Sequence, residues 1–364
     1  MEPESKSDFE RGVRKYCGEF GGIINAHVHG DRAYTRRDEF YAKTGKSVSQ
    51  LDRLTLSEKQ QLTWILHNSP AFETDSLMER MTRLVEESIG FGVREISTTV
   101  DVTYNTRLKS LEVAEKLRAD FADRIKIKIG AYNPSGFRVG DEHRERFDLF
   151  EEAVTRADFL VGLAEKDRVD GHMGEPQHNW YLLKLAYESG KPVQFHVGQE
   201  NRPTDKTLEL LLENLEQFQD LCARVSPEDF PRVDAVHAIS SSCLSVGDFD
   251  RVSRKMEERR VGLISCPRAA VSMLQDSSLD APIHNSIANI WRFAKNGVQV
   301  RGLGVDNVND VYIPASSPDV YEEAEYLANT LRFYNERIIA KILCGEPLDP
   351  FDIGSITEVL FNHS

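Results

Sequence analysis

Gly21-Gly22-Ile23-Ile24-Asn25-Ala26-His27-Val28-His29 is an apolar run that ends in two histidines one residue apart. Side chains alternate faces along an extended strand, so His27 and His29 point the same way and can offer two imidazole nitrogens to one ion. Alone, such a pair also fits ordinary half-buried residues. Three further apolar runs close on a ligand-type residue at the same place: Pro192-Val193-Gln194-Phe195-His196, Val233-Asp234-Ala235-Val236-His237, and Val298 through Gly304-Val305-Asp306. Parallel strands closed into a barrel bring their carboxyl ends to one face, where residues distant in sequence meet.

Strand-like and helix-like segments alternate outward from this frame. Leu77 to Val85 has apolar residues at helical spacing and leads to a β-rich stretch, Val93 to Val102. A helix from Leu108 to Phe121 precedes Ile125-Lys126-Ile127-Lys128-Ile129, whose strict alternation marks the third strand. A helix within Arg144 to Arg156 precedes Phe159 to Ala164, the fourth strand, and one around Trp180 to Glu188 closes at Gly190 before the strand that carries His196. Helices at Leu208 to Val225, Phe249 to Arg259 and Ile287 to Lys295 separate the strands that follow, the seventh being Val261 to Pro267 and the eighth ending at Asp306. Eight strands alternating with helices predict a (β/α)8 barrel, since no strand is followed by the Gly-rich phosphate loop of an open doubly wound sheet. Residues 1–20 read as an N-terminal extension, 21–345 as the barrel and 346–364 as a helical tail, with 30–75 as a lid over the active face.

The chain has 364 residues, 40% of them hydrophobic, enough for one large barrel. Its formal net charge of −14 argues against binding nucleic acid through the phosphate backbone, so a small-molecule partner is expected. The first twenty residues hold no signal-peptide core and no run is long enough to span a bilayer, which makes the cytoplasm the expected location and excludes a membrane partner. Five widely spaced cysteines form neither a disulfide framework nor a zinc-ligand pattern.

His27-x-His29, His196, His237 and Asp306, each at a strand end, resemble the metal-dependent hydrolase (amidohydrolase) superfamily over nearly the whole chain. Asn25-Ala26-His27-Val28-His29, Thr99-Val100-Asp101-Val102 and Gly304-Val305-Asp306-Asn307-Val308-Asn309-Asp310 are most similar to its cytosine deaminase and adenosine deaminase branch. The resemblance implies that His27, His29, His196 and Asp306 hold one divalent ion, with zinc well suited and iron or manganese as alternatives. It implies that Asp306 orients or deprotonates a water and that His237 hydrogen-bonds to the nucleophile or the developing oxyanion. The implied reaction is hydrolysis of a C–N bond, deamination of a small amidine-containing ring. The relatives' small β-sandwich is not expected here.

One position departs from the branch. Its members carry a proton-shuttling Glu three residues after the histidine of strand five, where this chain has Gln199, and an amide cannot shuttle a proton near neutral pH. Glu200 can take that role if Gly198 lets the backbone turn, or it is a solvated loop charge. The departure keeps two alternatives open: an amide or lactone hydrolase, bridged by Glu165 or a carboxylated Lys166 if it holds two metals, and a binding protein that retains a metal site. Gln199, Asn133 and Asn307 are candidate substrate contacts, although Asn133 in Asn133-Pro134-Ser135-Gly136 also fits a turn. His67, His172 and His178 read as structural or exposed.

Overall fold

The computed structural model describes residues 7–272 and 287–361. Helix α1 (Asp8–Glu19) precedes β1 (Ile23–His29), and then the barrel alternates: α2 (Thr74–Gly90), β2 (Val93–Asp101), α3 (Lys109–Asp120), β3 (Lys126–Tyr132), α4 (Arg144–Arg156), β4 (Phe159–Gly162), α5 (Glu175–Ser189), β5 (Val193–Val197), α6 (Thr207–Gln217), β6 (Val233–His237), α7 (Val246–Glu258), β7 (Val261–Ser265), α8 (Ile290–Lys295) and β8 (Val300–Leu303). Three helices follow: α9 (Val320–Leu331), α10 (Glu336–Leu343) and α11 (Pro350–Phe361). The strands pair in parallel in sequence order, β1 to β8. Closure between β8 and β1 runs through ligand-type residues: the His29 N–H donates to Asp306 O at 2.7 Å and the Asp306 N–H to His27 O at 3.1 Å. The fold is a nearly closed (β/α)8 barrel, as the strand pattern predicts.

The alternation of β3 shows how the sequence makes this barrel. Ile127 and Ile129 are buried, and Ile127 shares a wall with Met81 and Leu84 of α2 and Leu117 of α3, outside the barrel. Lys126 and Lys128 leave on the other face, where both pair with Glu95 of β2. The main core therefore lies between sheet and helices, while much of the barrel interior is polar; Asp234 of β6 pairs there with Arg301 of β8 at 3.3 Å. Burying apolar side chains on the helix layer provides the stabilisation, which leaves inward positions near the strand ends free for chemistry.

The structure adds detail to the segments on either side of β1. The charged N-terminal stretch contains α1, an amphipathic helix capped by Ser7 that buries Val13 and Cys17 and packs on α10. The segment after β1 is a series of short helical turns, among them Asp38–Thr44, Val48–Leu51, Leu56–Gln61 and Thr63–His67. The expected helix from Leu208 to Val225 becomes α6 followed by a π-helical turn at Phe218–Ala223. No helix among the described residues is long and apolar enough to cross a membrane.

Candidate metal centre and cleft

Three strand ends converge at the carboxyl face. His27 and His29 come from β1, His196 from β5, and Asp306 from just past β8; one donor atom from each lies within 4.8 Å of all the others. The strand fixes the two β1 histidines on one face, and Gly304 lets β8 come close: a Cβ there would stand 2.6 Å from His27 O and 2.8 Å from His27 Cβ. Asp306 then takes a left-handed backbone conformation (φ 58°), costly for a non-glycine residue and typical of functional positions. That turn carries its carboxylate to the imidazoles.

Second hydrogen bonds set the histidine tautomers. His27 Nδ1 faces Gln194 Oε1 at 2.8 Å, His196 Nδ1 faces the Gly162 carbonyl at 3.2 Å, and His29 Nδ1 faces Thr99 Oγ1 at 2.8 Å. A carbonyl oxygen can only accept, so His27 and His196 keep their proton on Nδ1 and turn a bare Nε2 lone pair inward. Burial pushes the His29 imidazole down to about 4 and holds His196 well below its ordinary value, which leaves both neutral at pH 7.

These donors suit a divalent ion. His27 Nε2 and His196 Nε2 stand 3.1 Å apart, a distance at which two bare lone pairs repel unless they share a cation. Asp306 Oδ1 lies 3.5 Å from His27 Nε2 and 3.4 Å from His29 Nε2. Ligand atoms of a tetrahedral site with bonds of about 2.0–2.1 Å stand roughly 3.4 Å apart. Three of the donor–donor distances match that spacing, and all four donors lie within 4.8 Å of one another, so the four residues can hold a metal.

His237 differs from the other three. Its Nε2 is 4.0 Å from Asp306 Oδ1, its Nδ1 is buried with no hydrogen-bond partner, and burial lowers it to about 4. With no acceptor near Nδ1, the tautomer protonated on Nε2 strands only a lone pair, the milder penalty. That tautomer aims a donor at the cleft.

A cleft opens above the centre, lined by His29, His196, His237 and Asp306. Leu54, Leu56, Lys59, Gln60 and Thr63, from the segment after β1, line one side of it. Gln199 and Asn307 line it too; the Gln199 amide reaches Glu165 Oε1 at 3.5 Å, and the Asn307 amide donates to Asp310. Two sequence-predicted residues are placed elsewhere. Glu200 accepts from Arg168 Nη1 at 2.8 Å and Arg202 Nε at 2.6 Å and is not part of the cleft wall, despite a φ of 65° at Gly198. Asn133 spends its amide on the Gly136 carbonyl and the Ser135 N–H, which makes it a turn residue. Asp101 is buried and binds Arg32 through two hydrogen bonds of 2.8 Å, with His67 at 2.8 Å on the same carboxylate. His172 and His178 both bond Asp167, away from the centre.

Sequence reasoning missed Gln194, Lys59 and Arg32. Gln194 was accessible in principle: it lies two residues before His196, on the same strand face, and is the polar exception in an apolar run. Lys59 carried no signal, because it reaches the cleft only through the fold of its segment.

No family model matches the chain. An uncharacterised protein of Haemophilus influenzae is 25% identical over 280 residues, which is 77% of this chain and 92% of that one. Among solved structures, a 5-methylcytosine deaminase from Klebsiella pneumoniae with bound 5-fluorocytosine superposes with a TM-score of 0.70 at 18% identity, over 93% of this chain and 72% of that one. The chain has the fold of that deaminase. N-isopropylammelide isopropylaminohydrolase from Burkholderia multivorans gives 0.65 at 19% identity, over 88% and 72%. At such identities the likeness concerns the barrel, and the chemistry has to be argued from the centre itself.

Proposed function

We propose that the protein is a metal-dependent hydrolase of the amidohydrolase superfamily, one that cleaves a C–N bond in a small ring compound. The observation that carries this reading is the convergence of three imidazoles and Asp306, with donor atoms within 4.8 Å of one another, on the active face of the barrel. A divalent ion held there, zinc or alternatively iron or manganese, supplies the Lewis acidity that makes water a usable nucleophile near pH 7. The Asp306 carboxylate orients the attacking water and takes its proton, then returns it to the leaving amine. The Nε2–H of His237 donates to the atom on which negative charge develops. Segment 30–75 covers the cleft and limits access of bulk water. A cytoplasmic location fits five cysteines that form no disulfide among the described residues.

Deamination of an amidine-containing ring is the leading case, with 5-methylcytosine and N-isopropylammelide the first compounds to assay because they name the two structural neighbours. Gln199 in the cleft and Glu200 turned toward Arg168 and Arg202 favour a second reading, an amide or lactone hydrolase. There the leaving group takes its proton from Asp306 and no second carboxylate is needed. Ammonia release and ring opening, followed with chelated and metal-restored protein, separate the two. Asp306→Asn should lower either activity by about a hundredfold or more. Turnover that survives both chelation and this change contradicts the proposal.

A further inference from the structure

The cleft carries more cations than its own chain neutralises. Lys59 is 4% exposed and lines the cleft, and its ammonium makes no hydrogen bond or ion pair among the described residues. The acids nearest it are already committed: Asp52 to Arg36, and Asp310 to Asn307 and the N–H groups of Tyr312 and Ile313. Lys166, after β4, also lines the cleft and lacks an ion pair among the described residues; its neighbour Glu165 accepts from Gln60 at 2.8 Å and from Gln199. Arg32 gives Nε and Nη2 to Asp101, which leaves Nη1 at the cleft wall without an acceptor among the described residues.

An ammonium held over a largely desolvated cleft with no anion beside it is costly, because the solvent that still reaches it compensates the desolvation only in part. Burial lowers both lysines, Lys166 to about 8, the response of charged groups that lack an anion. Nothing in the fold needs Lys59: Met or Leu would fill the same space without the penalty. In a chain of net charge −14, cations gathered in one cleft beside the metal centre point to a ligand that brings its own negative charge.

We propose that the substrate carries an oxyanion substituent, a carboxylate or a phosphate, held between Lys59, Lys166 and the free edge of Arg32 while its hydrolysable C–N bond lies at the metal centre. The inference rests on the hydrolase reading for the second half of that sentence only. An oxyanion fixed at the cleft wall positions the ring, and its contacts with the lysines relieve the desolvation cost that the unliganded cleft bears.

The test is isothermal titration calorimetry of the full-length, zinc-supplemented protein with sodium phosphate and, separately, sodium malonate, with metal content measured on the same samples. At least one anion should bind saturably. Lys59→Met should weaken that binding by about tenfold or more, and the double change with Lys166→Gln further, at unchanged metal content. Stronger binding of phosphate assigns a phosphate ester, and stronger binding of malonate assigns a carboxylate. Saturable binding of neither anion overturns the proposal, as does equal affinity in wild type and double variant, which would place the anion on the metal or elsewhere. Metal retained without anion binding defeats this inference alone, whereas anion binding without metal defeats the hydrolase reading and leaves the oxyanion site standing.

Discussion

Gln194→Met probes whether the histidine tautomers are set from behind. The Gln194 side chain is buried, faces His27 Nδ1 through Oε1 at 2.8 Å, and donates from Nε2 to the Ala26 carbonyl at 3.2 Å. Methionine conserves the volume, so packing changes little. What is lost is the acceptor that keeps the His27 proton on Nδ1. An orphaned buried N–H costs about 1–3 kcal/mol, and His27 escapes that cost by moving its proton to Nε2, the atom meant for the metal. Metal affinity should then fall by about 10–100-fold, equivalent to roughly 1.4–2.8 kcal/mol. Competition with a chromophoric chelator measures it, and urea denaturation of the metal-free protein measures stability separately. Gln194→Glu keeps an acceptor at the same atom and should retain most of the affinity. A folded Gln194→Met protein that binds zinc as tightly as wild type would refute the reasoning.

Gly304→Ala should cost about 1–3 kcal/mol in denaturant unfolding and weaken metal binding, since the new methyl collides with the His27 backbone; Gly90→Ala, with open space around it, should be neutral or slightly stabilising. Equal behaviour of the two would contradict the close approach of β8 to β1. Lys59→Met should stabilise the metal-free protein by about 1 kcal/mol, because a partly desolvated ammonium without an ion-pair partner among the described residues is removed, and its Tm should rise by about 1–2 °C; a lower Tm counts against that lack of a partner. Lys166 titrates near 8 in the folded chain and at about 10.4 unfolded, so between those values the unfolded chain binds more protons and stability rises with pH. Lys166→Gln should lose that rise, and parallel pH–stability curves would show that the group is not buried as described.

The barrel was legible because its signals are periodic and local. β3 alternates with period two, α2 carries its apolar residues at helical spacing, and each candidate donor lies at or just past the end of a strand. The four donors were legible for the same reason: a barrel sends every strand end to one place, so their convergence needs no knowledge of loops. What surrounds them depends on tertiary detail. Glu200 lies one residue past Gln199 in sequence, yet two arginines from separate turns hold it outside the cleft. Asn133 and the Gly136 carbonyl are neighbours in a turn, and local hydrogen bonding takes the amide before any ligand can. Lys59 enters only because a run of short helical turns folds back over the face, and no periodicity in residues 30–75 encodes that path.

Metal stoichiometry tests the central claim most directly. Elemental analysis of the protein purified without added metal, then after zinc or manganese supplementation and removal of the excess, should find one ion per chain in the wild type. His196→Ala and Asp306→Asn proteins treated in parallel should retain far less, and supplementation should raise the wild-type Tm without raising theirs. Less than about a tenth of an ion per wild-type chain with no thermal response, or the same metal content in the ligand variants, would contradict a centre built from His27, His29, His196 and Asp306.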